Sequence, residues 1–570
     1  MKVKSICFSI LALLLLGAGI ALYGQNIRGS IVGNVTDSSG AVVPGAQITV
    51  KNEGTGIEVR TTTGAGGTYT VPDLLAGVYE VSAAKEGFKT YRVSGIRLLS
   101  AQTARQDIRL ELGELAQTVN VAAAPQLVQT DSPTIGGSIL TRELTDLPFV
   151  TTTTDALFQL VPGMSQGITN GNANPTIGGA PYMGSSNFTV NGISTSNPGQ
   201  GGGGNVTYVG SDEMIALANL PSIGTLQEFK VDSSVQGAEY RSQLAVDMVT
   251  KQGTNKFHGQ VFEYNENKAL NANYFDFNKS NIPAQPFNRN QFGANLGGPI
   301  LRDKLFFFVN YDGIREIHPQ PTRLNFPSTA MRNGDFSALC SGYGSNGVCS
   351  DANGTQLYNP LSGQPFPGNQ IPSSMIMPQA KTLLDFMPAP TEAASPGLPN
   401  EAPNWVGSIP LRFGTNNAQA RLDGQLGKSD SAVAFFSWSR GLPWFYGYEG
   451  PSNYSNWTDH GYNFFNSSAT ETHTFGPGMV NEFRLGWVLA LRHKYGQNLS
   501  FQPWSLFPQI PVSASNNGGL PEVDLDGYRG LADVGIARGR QNTVDWVDNF
   551  TMVRGSHTIK AGFEDRKSVV

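Results

Sequence analysis

Charge is scarce in this sequence. Only 15% of its 570 residues are Asp, Glu, Lys or Arg, and the formal net charge of −5 leaves no basic field to recruit nucleic acid. Long hydrophobic runs are missing too: after residue 24 no apolar stretch approaches the roughly 20 residues of a spanning helix, so a membrane-embedded chain must cross as a barrel of strands. Cysteine is nearly absent, at three residues, of which Cys7 lies in the N-terminal leader. Cys340 and Cys349 share a loop rich in Gly, Ser and Asn, at a spacing that fits no CxxC metal site. In an oxidising compartment they can close a small loop staple, with two free thiols as the alternative.

Catalytic constellations are lacking as well. His258, His318, His460, His473, His493 and His557 are scattered singly, with no HExxH pair and no carboxylate at ligand spacing. Asp524, Asp526 and Gly527 echo a calcium loop without its other ligands or distal Glu, and read as a solvated turn. Gly163, Ser165 and Gly167 satisfy GxSxG, but Pro162 precedes them and neither a strand nor a helix frames the Ser. Gly199, Gly201 and Gly204 satisfy GxGxxG only inside a flexible low-complexity loop, and Gly424, Gly427, Lys428 and Ser429 miss the P-loop spacing. No enzyme, metal or cofactor is expected.

What the chain does have is glycine (67) and proline (34), the composition of many turns and long loops. Lys2 and Lys4 precede an apolar core over Ile10–Ala21, followed by small residues near Gly24. That is a secretory signal peptide over 1–24, too short to span, with an uncleaved signal anchor as the alternative. Residues 26–112 read as a compact β-sandwich: Ser30–Val35, Ala46–Lys51, Thr68–Val71 and Gly77–Ala83 alternate and are joined by turns such as Asp37–Gly40. Residues 113–125 form a linker. Within 126–253, Leu144, Leu147, Ala156, Leu157 and Leu160 recur at helical spacing, and Phe188, Val190 and Ile193 flank an Asn191–Gly192 hairpin turn.

The chain changes character between Glu228 and Phe262. Val246, Met248 and Val249 make a short apolar strand, Lys251–Asn255 a polar turn, and from Lys256 a strand begins with aromatics at every second position. Nine candidate strands follow: Lys256–Asn267, Asn288–Gly298, Lys304–Arg315, Asn417–Leu426, Ser431–Arg440, Ser467–Phe475, Val480–Ala490, Thr543–Arg554 and Ser556–Glu564. Strands of this length with aromatics near their ends suit a membrane barrel over 254–570. His318–Pro410 contains no persuasive strand and reads as a long extracellular loop with a short helix over Met375–Met387.

The stretches LQEFKVDSSVQGAEYRSQLAVDMVTKQGTNKFHGQVFEY, FNRNQFGANLGGPILRDKLFFFVNYDGIRE and TRLNFPSTAMRNGDFSAL resemble TonB-dependent outer-membrane receptors, particularly the Oar-like branch. GSIVGNVTDSSGAVVPGAQITV, GTYTVPDLLAGVYEVSAAKEGFKT and IRLLSAQTARQDIRLEL resemble the carboxypeptidase regulatory-like domain, which is not itself a peptidase. The resemblance implies a mainly β chain: a transthyretin-like β-sandwich, an α+β plug and the first part of an antiparallel transmembrane β-barrel. Receptors of this barrel class have about 22 strands, so nine imply a fragment that stops inside its barrel and cannot close.

By the same resemblance, loops capture a ligand and the energy-coupling protein TonB pulls the plug. The ligand is unidentified, an oligosaccharide, a peptide or a metal chelate, and outer-membrane lipid surrounds the barrel. Gln117, Thr118, Val119, Asn120 and Val121 resemble the pentapeptide that adds as a strand to TonB, while the same residues read equally as the sandwich's last strand plus linker. Trp405, Trp444, Tyr446 and Trp457, with Tyr448 and Tyr454, are candidates for stacking on a flat ligand, with loop packing and an interfacial girdle as the plainer alternative. An adhesin on the same scaffold is the alternative function, and a secreted hydrolase with a β-sandwich accessory domain the third.

Overall fold

The computed structural model describes residues 28–114, 118–122, parts of 135–194, 221–234, 244–273 and most of 283–569. The leader, most of the helical stretch near 140–164, Gln117 and the Gly199–Gly204 loop lie outside the described residues.

At the N-terminal end, β1 (Gly29–Asp37), β2 (Gln47–Asn52), β3 (Glu58–Thr62), β4 (Thr68–Leu74), β5 (Gly77–Ala84), β6 (Thr90–Leu98), β7 (Thr103–Arg105), β8 (Ile108–Leu110) and β9 (Thr118–Ala122) make two sheets. One runs β4-β1-β7, with β8 also on β1; the other runs β3-β2-β5-β6-β9. Alternate residues point inward, so Ile31 and Val35, Ile48 and Val50, and Val81 and Ala83 share one core with Ile108 and Leu110. On β6, Val93 pairs with Val81 while Ile96 pairs with Tyr79, so Ser94 and Gly95 form a bulge and Gly95 takes φ +80°. The bulge resets the alternation and lets both Val93 and Ile96 face the core.

Next come β10 (Ile135–Leu140), β11 (Met164–Thr169), β12 (Asn172–Ile177), β13 (Ala180–Pro181), β14 (Ser186–Val190), β15 (Ile193–Ser194), β16 (Leu226–Ser234) and β17 (Leu244–Thr250). Five of them form a sheet in the order β10-β16-β17-β14-β15, with β14 parallel to β17. Its core of Ile139, Leu157, Val190, Leu226, Phe229, Val231, Val246 and Met248 also takes in Phe435 from the wall described next. The β14–β15 turn is Asn191–Gly192, both at positive φ (+50° and +79°), as a tight two-residue hairpin requires.

The wall is a single antiparallel sheet of β18 (His258–Asn267), β19 (Asn288–Leu301), β20 (Leu305–Leu324), β21 (Trp405–Gln425), β22 (Asp430–Gly441), β23 (Trp444–Tyr446), β24 (Trp457–Gly476), β25 (Met479–Gly496), β28 (Ala537–Arg554) and β29 (His557–Val569), with β26 (Val523–Leu525) and β27 (Tyr528–Leu531) as a hairpin in the loop after β25. Connections alternate strictly. Turns at 302–304, 426–429, 477–478 and 555–556 are short, and loops at 268–287, 325–404, 442–456 and 497–536 are long. Short turns at one end and long loops at the other are the arrangement of an outer-membrane barrel. No helix among the described residues is long and apolar enough to cross a membrane.

All nine expected wall strands are present, but several extend far into the long-loop side. The expectation that 318–410 holds no strand is corrected: β20 continues to Leu324 and β21 starts at Trp405, in register with each other. Pro319 lies opposite Pro410 in that ladder. Their missing N–H groups are tolerated because β19 has already ended opposite Ile317 and β22 opposite Thr415, leaving a two-stranded ribbon with open edges. Above it a second core forms outside the wall, where Phe326, Leu383, Met387 and Trp405 pack with Leu520 and Leu531 from the other long loop. The short helix is α2 (Pro378–Leu384), which follows α1 (Thr329–Arg332). Arg332 ties the two by donating to the carbonyls of Leu384 and Met387 at 3.0 and 2.9 Å and to that of Pro388.

Candidate functional site

The wall sorts its residues with period 2, but in reverse. Along β25, Phe483, Leu485 and Trp487 face outward and exposed, while Glu482, Arg484 and Gly486 face inward and are buried. On β21, Leu422 is exposed and its neighbours Arg421 and Asp423 are buried. An apolar outer face with charged groups on the inner one is what lipid outside and polar protein inside demand.

What fills the inside is the β14–β17 sheet. Arg421 pairs with Asp423 through three bonds (Nη2 to Oδ1 2.7 Å, Nε to Oδ2 3.0 Å and to Oδ1 3.1 Å) and uses Nη1 to donate to the Thr250 carbonyl at 2.8 Å. Arg484 pairs with Glu482 and donates from Nη1 to the Gly192 carbonyl at 3.0 Å. Arg566 donates to the Ser194 hydroxyl at 3.0 Å. Three wall arginines thus converge on the Asn191–Ser194 turn and on Thr250. Guanidinium suits this because it stays charged when buried and offers donors in several directions. Gly486 completes the fit, since a Cβ there would strike the Ile193 side chain.

The inserted sheet carries its own buried charges. Asp247 accepts from the Thr189 hydroxyl at 2.5 Å, and Lys230 pairs with Asp232 at 2.8 Å. Glu228 accepts from the Ser138 hydroxyl at 2.9 Å and from the Ser100 amide, in the sandwich, at 2.8 Å. Burial pushes the carboxyls of Asp247 and Glu228 upward, and the hydrogen bonds from Thr189, Ser100 and Ser138 oppose it. The chain passes from β17 into the wall at Gly253, where a Cβ would lie 2.7 Å from the Gly298 carbonyl oxygen and 2.9 Å from the Phe307 nitrogen. Only glycine fits that crossing.

The residues singled out in the sequence fall in different places. Thr118–Val121 lie on β9, whose backbone pairs in parallel with Thr90–Val93 of β6, so this segment is the edge of the sandwich's second sheet and not a free linker. Cys340 and Cys349 are joined in a disulfide, Cα to Cα 5.9 Å, and Cys349 is bridged to Tyr343. Trp405 is buried in the loop core, edge-on to Phe326 at 6.1 Å, so its ring serves packing. Trp444 and Tyr446 lie on β23 in register with Asp459 and Trp457 of β24; Tyr448 and Tyr454 are outside the described residues. Ser165 sits within β11 opposite Thr176.

One reading of the histidines is corrected. His473 does have carboxylates beside it: Asp430, Glu471 and His473 place their ligand atoms within 4.8 Å of one another, and could hold a divalent cation. Glu471 and His473, two apart on one strand, share a face; Asp430 arrives from the strand alongside, directly opposite His473. The i, i+2 spacing was readable, but the cross-strand partner was not. All three are partly exposed near a short turn, and the 2.7 Å bond from His473 to Asp430 is also that of an ordinary rim pair.

Residues 249–569 match the family model for the outer membrane beta barrel domain, and residues 30–111 that for the carboxypeptidase regulatory-like domain. The TonB-dependent transporter Oar of Myxococcus xanthus is 28% identical over 307 residues, covering 51% of this chain and 27% of that protein. Among solved structures, the siderophore receptor PirA from Acinetobacter baumannii aligns at 12% identity over 76% of this chain and 48% of its own (TM-score 0.42). The outer membrane transporter YddB from Escherichia coli aligns at 10% identity over 76% of this chain and 47% of its own (TM-score 0.43). The chain therefore spans about a quarter of that curated relative and about half of those solved receptors.

Proposed function

The chain belongs to the outer membrane beta barrel domain family, with a carboxypeptidase regulatory-like domain ahead of the barrel, and from that premise we propose that it acts as a TonB-dependent receptor whose inserted sheet is a movable plug. One observation carries the reading: the wall's inner face is occupied by a folded piece of the same chain, gripped by Arg421, Arg484 and Arg566 through backbone carbonyls and a hydroxyl. A ligand crossing the wall has to displace that piece. Polar grips suit displacement better than a greasy seal, because each broken bond is replaced by water as the lumen opens.

The ligand class is an oligosaccharide, a peptide or a metal chelate met by the long loops, which carry their own core and disulfide. TonB would engage β9, whose outer edge has no partner strand among the described residues and offers a row of backbone groups for strand addition. Sequence demands of such pairing are loose, so the test must remove backbone donors. Val119→Pro with Val121→Pro should abolish pull-down by the periplasmic domain of TonB while leaving the protein in the outer membrane. Undiminished capture would rule out β9 as the coupling strand. An adhesin on this scaffold should hold its surface ligand equally well in cells lacking TonB, which separates the two functions.

A further inference from the structure

The sandwich is seated in the short-turn mouth of the barrel at three joints. The Asn255 amide donates to the Thr55 carbonyl and to the Asp303 carboxylate, both at 2.7 Å, joining the sandwich to the first turn of the wall. Glu228 of the inserted sheet accepts from the Ser100 amide, and the Gln227 amide donates to the Ala76 carbonyl at 3.0 Å. The third joint is ionic: Arg28 lies 3.2 Å from Asp73 within the sandwich and 3.1 Å from Glu482 on the wall. Glu482 in turn pairs with Arg484, which holds the Gly192 carbonyl. Sandwich, wall and plug therefore meet in one cluster of four charges whose side chains are all less than a tenth exposed.

We propose that the sandwich is a latched stopper beneath the plug, and that Arg28, clamped between Asp73 and Glu482, is the latch whose release unseats it. A further feature fits a latch rather than a permanent weld: Glu482 Oε2 and Arg484 Nε have no hydrogen-bond partner among the described residues. A buried ionic cluster left half-satisfied regains hydration on opening, so it opens more readily than a complete one. Asp73 sits in the β1–β4 bulge at φ +62°, and Arg28 holds both its carbonyl, at 3.3 Å, and its carboxylate, at 3.2 Å, so the latch grips the sandwich at two points.

The proposal deepens the receptor reading and rests on it for its purpose: a load on β9 passes through the β6 ladder into the sandwich before it reaches the plug. Its test needs neither TonB nor a ligand. In outer membranes carrying the full chain, Gly54→Cys with Thr254→Cys should crosslink on mild oxidation, since a Cβ at Gly54 would lie 3.7 Å from that of Thr254, inside the disulfide range. Failure to crosslink would overturn the seating itself. Ser100→Cys then reports opening through maleimide labelling, and Val81→Cys, in the sandwich core, reports unfolding. Arg28→Gln should raise labelling at Ser100→Cys by roughly tenfold or more, Arg28→Lys far less, and Val81→Cys should stay protected throughout. Labelling no faster in Arg28→Gln, or equal deprotection of Val81→Cys, would overturn the latch. Loss of TonB capture in the β9 variants with an intact latch, or the reverse, keeps the two readings separable.

Discussion

The sandwich and the wall use the same alternation for opposite ends. On β5 the residues turned inward are Tyr79, Val81 and Ala83, packed in an apolar core, with Val78, Glu80 and Ser82 turned outward. On β25 the inward set is Glu482, Arg484 and Gly486, and the apolar set looks out. Period 2 fixes that two faces differ, but the medium on each side decides which face is which. Water surrounds one sheet; lipid and a polar plug flank the other.

The comparison breaks most sharply if a charge is put on each face in turn. Val81→Asp should destroy the sandwich at a cost above about 5 kcal/mol, since nothing in that core can pair a carboxylate. Residues 26–122, which include β9, expressed alone should melt cooperatively with good amide dispersion, and the variant should do neither. On the wall the equivalent inward position already holds charge, and removing it is what hurts. Arg484→Leu leaves Glu482 buried with only Arg28 beside it and strips the Gly192 carbonyl of its donor, a loss of about 3 kcal/mol. It should show as protease cleavage of the plug while the wall stays resistant. Leu485→Arg, one residue along, should destabilise the inserted wall by about 2–4 kcal/mol and lower the yield of membrane-inserted protein, with Leu485→Phe neutral.

How much of this was readable follows from where each signal lives. The nine wall strands are legible because alternation is local, and β20 and β21 read shorter than they are because Pro319 and Pro410 look like loop. β3 was missed because EVRTT contains one apolar residue, Val59, and β6 because its Gly95 bulge breaks the period. The Asn191–Gly192 turn was legible from its two residues alone. The grips on it were not. Arg421 meets Thr250 from 171 positions away and Arg484 meets Gly192 from 292, distances at which a sequence carries no pairing information.

The long-loop core offers a milder contrast, because it lies outside both sheets. The Cys340–Cys349 disulfide closes a loop of sequence separation 9. Cys340→Ser with Cys349→Ser should cost about 2–3 kcal/mol, confined to that loop. Proteolysis should begin near residue 345 while the wall strands stay resistant, and mass spectrometry of unreduced peptides should find the wild-type pair joined.

The smallest effect concerns pH, and it acts where sandwich and wall meet. Burial lifts the Asp73 carboxyl to about 6; Glu482 adds to the rise, while Arg28 and Arg484 work against it without cancelling it. Glu228, across the same interface, is lifted by burial too. A group whose pKa is higher when seated holds its proton more tightly when seated. Seating is therefore strongest below about pH 4, weakens as pH rises from about 4 through about 6, and levels off above that. Hydrogen exchange at the Ser100 amide, corrected for its intrinsic rate, should lose up to about tenfold in protection across that window. Asp73→Asn should flatten most of the change, leaving the share due to Glu228. Protection that instead grows with pH would mean that ionised Asp73 gains more from Arg28 than it loses by leaving water, and the wall joint would then be a conventional salt bridge.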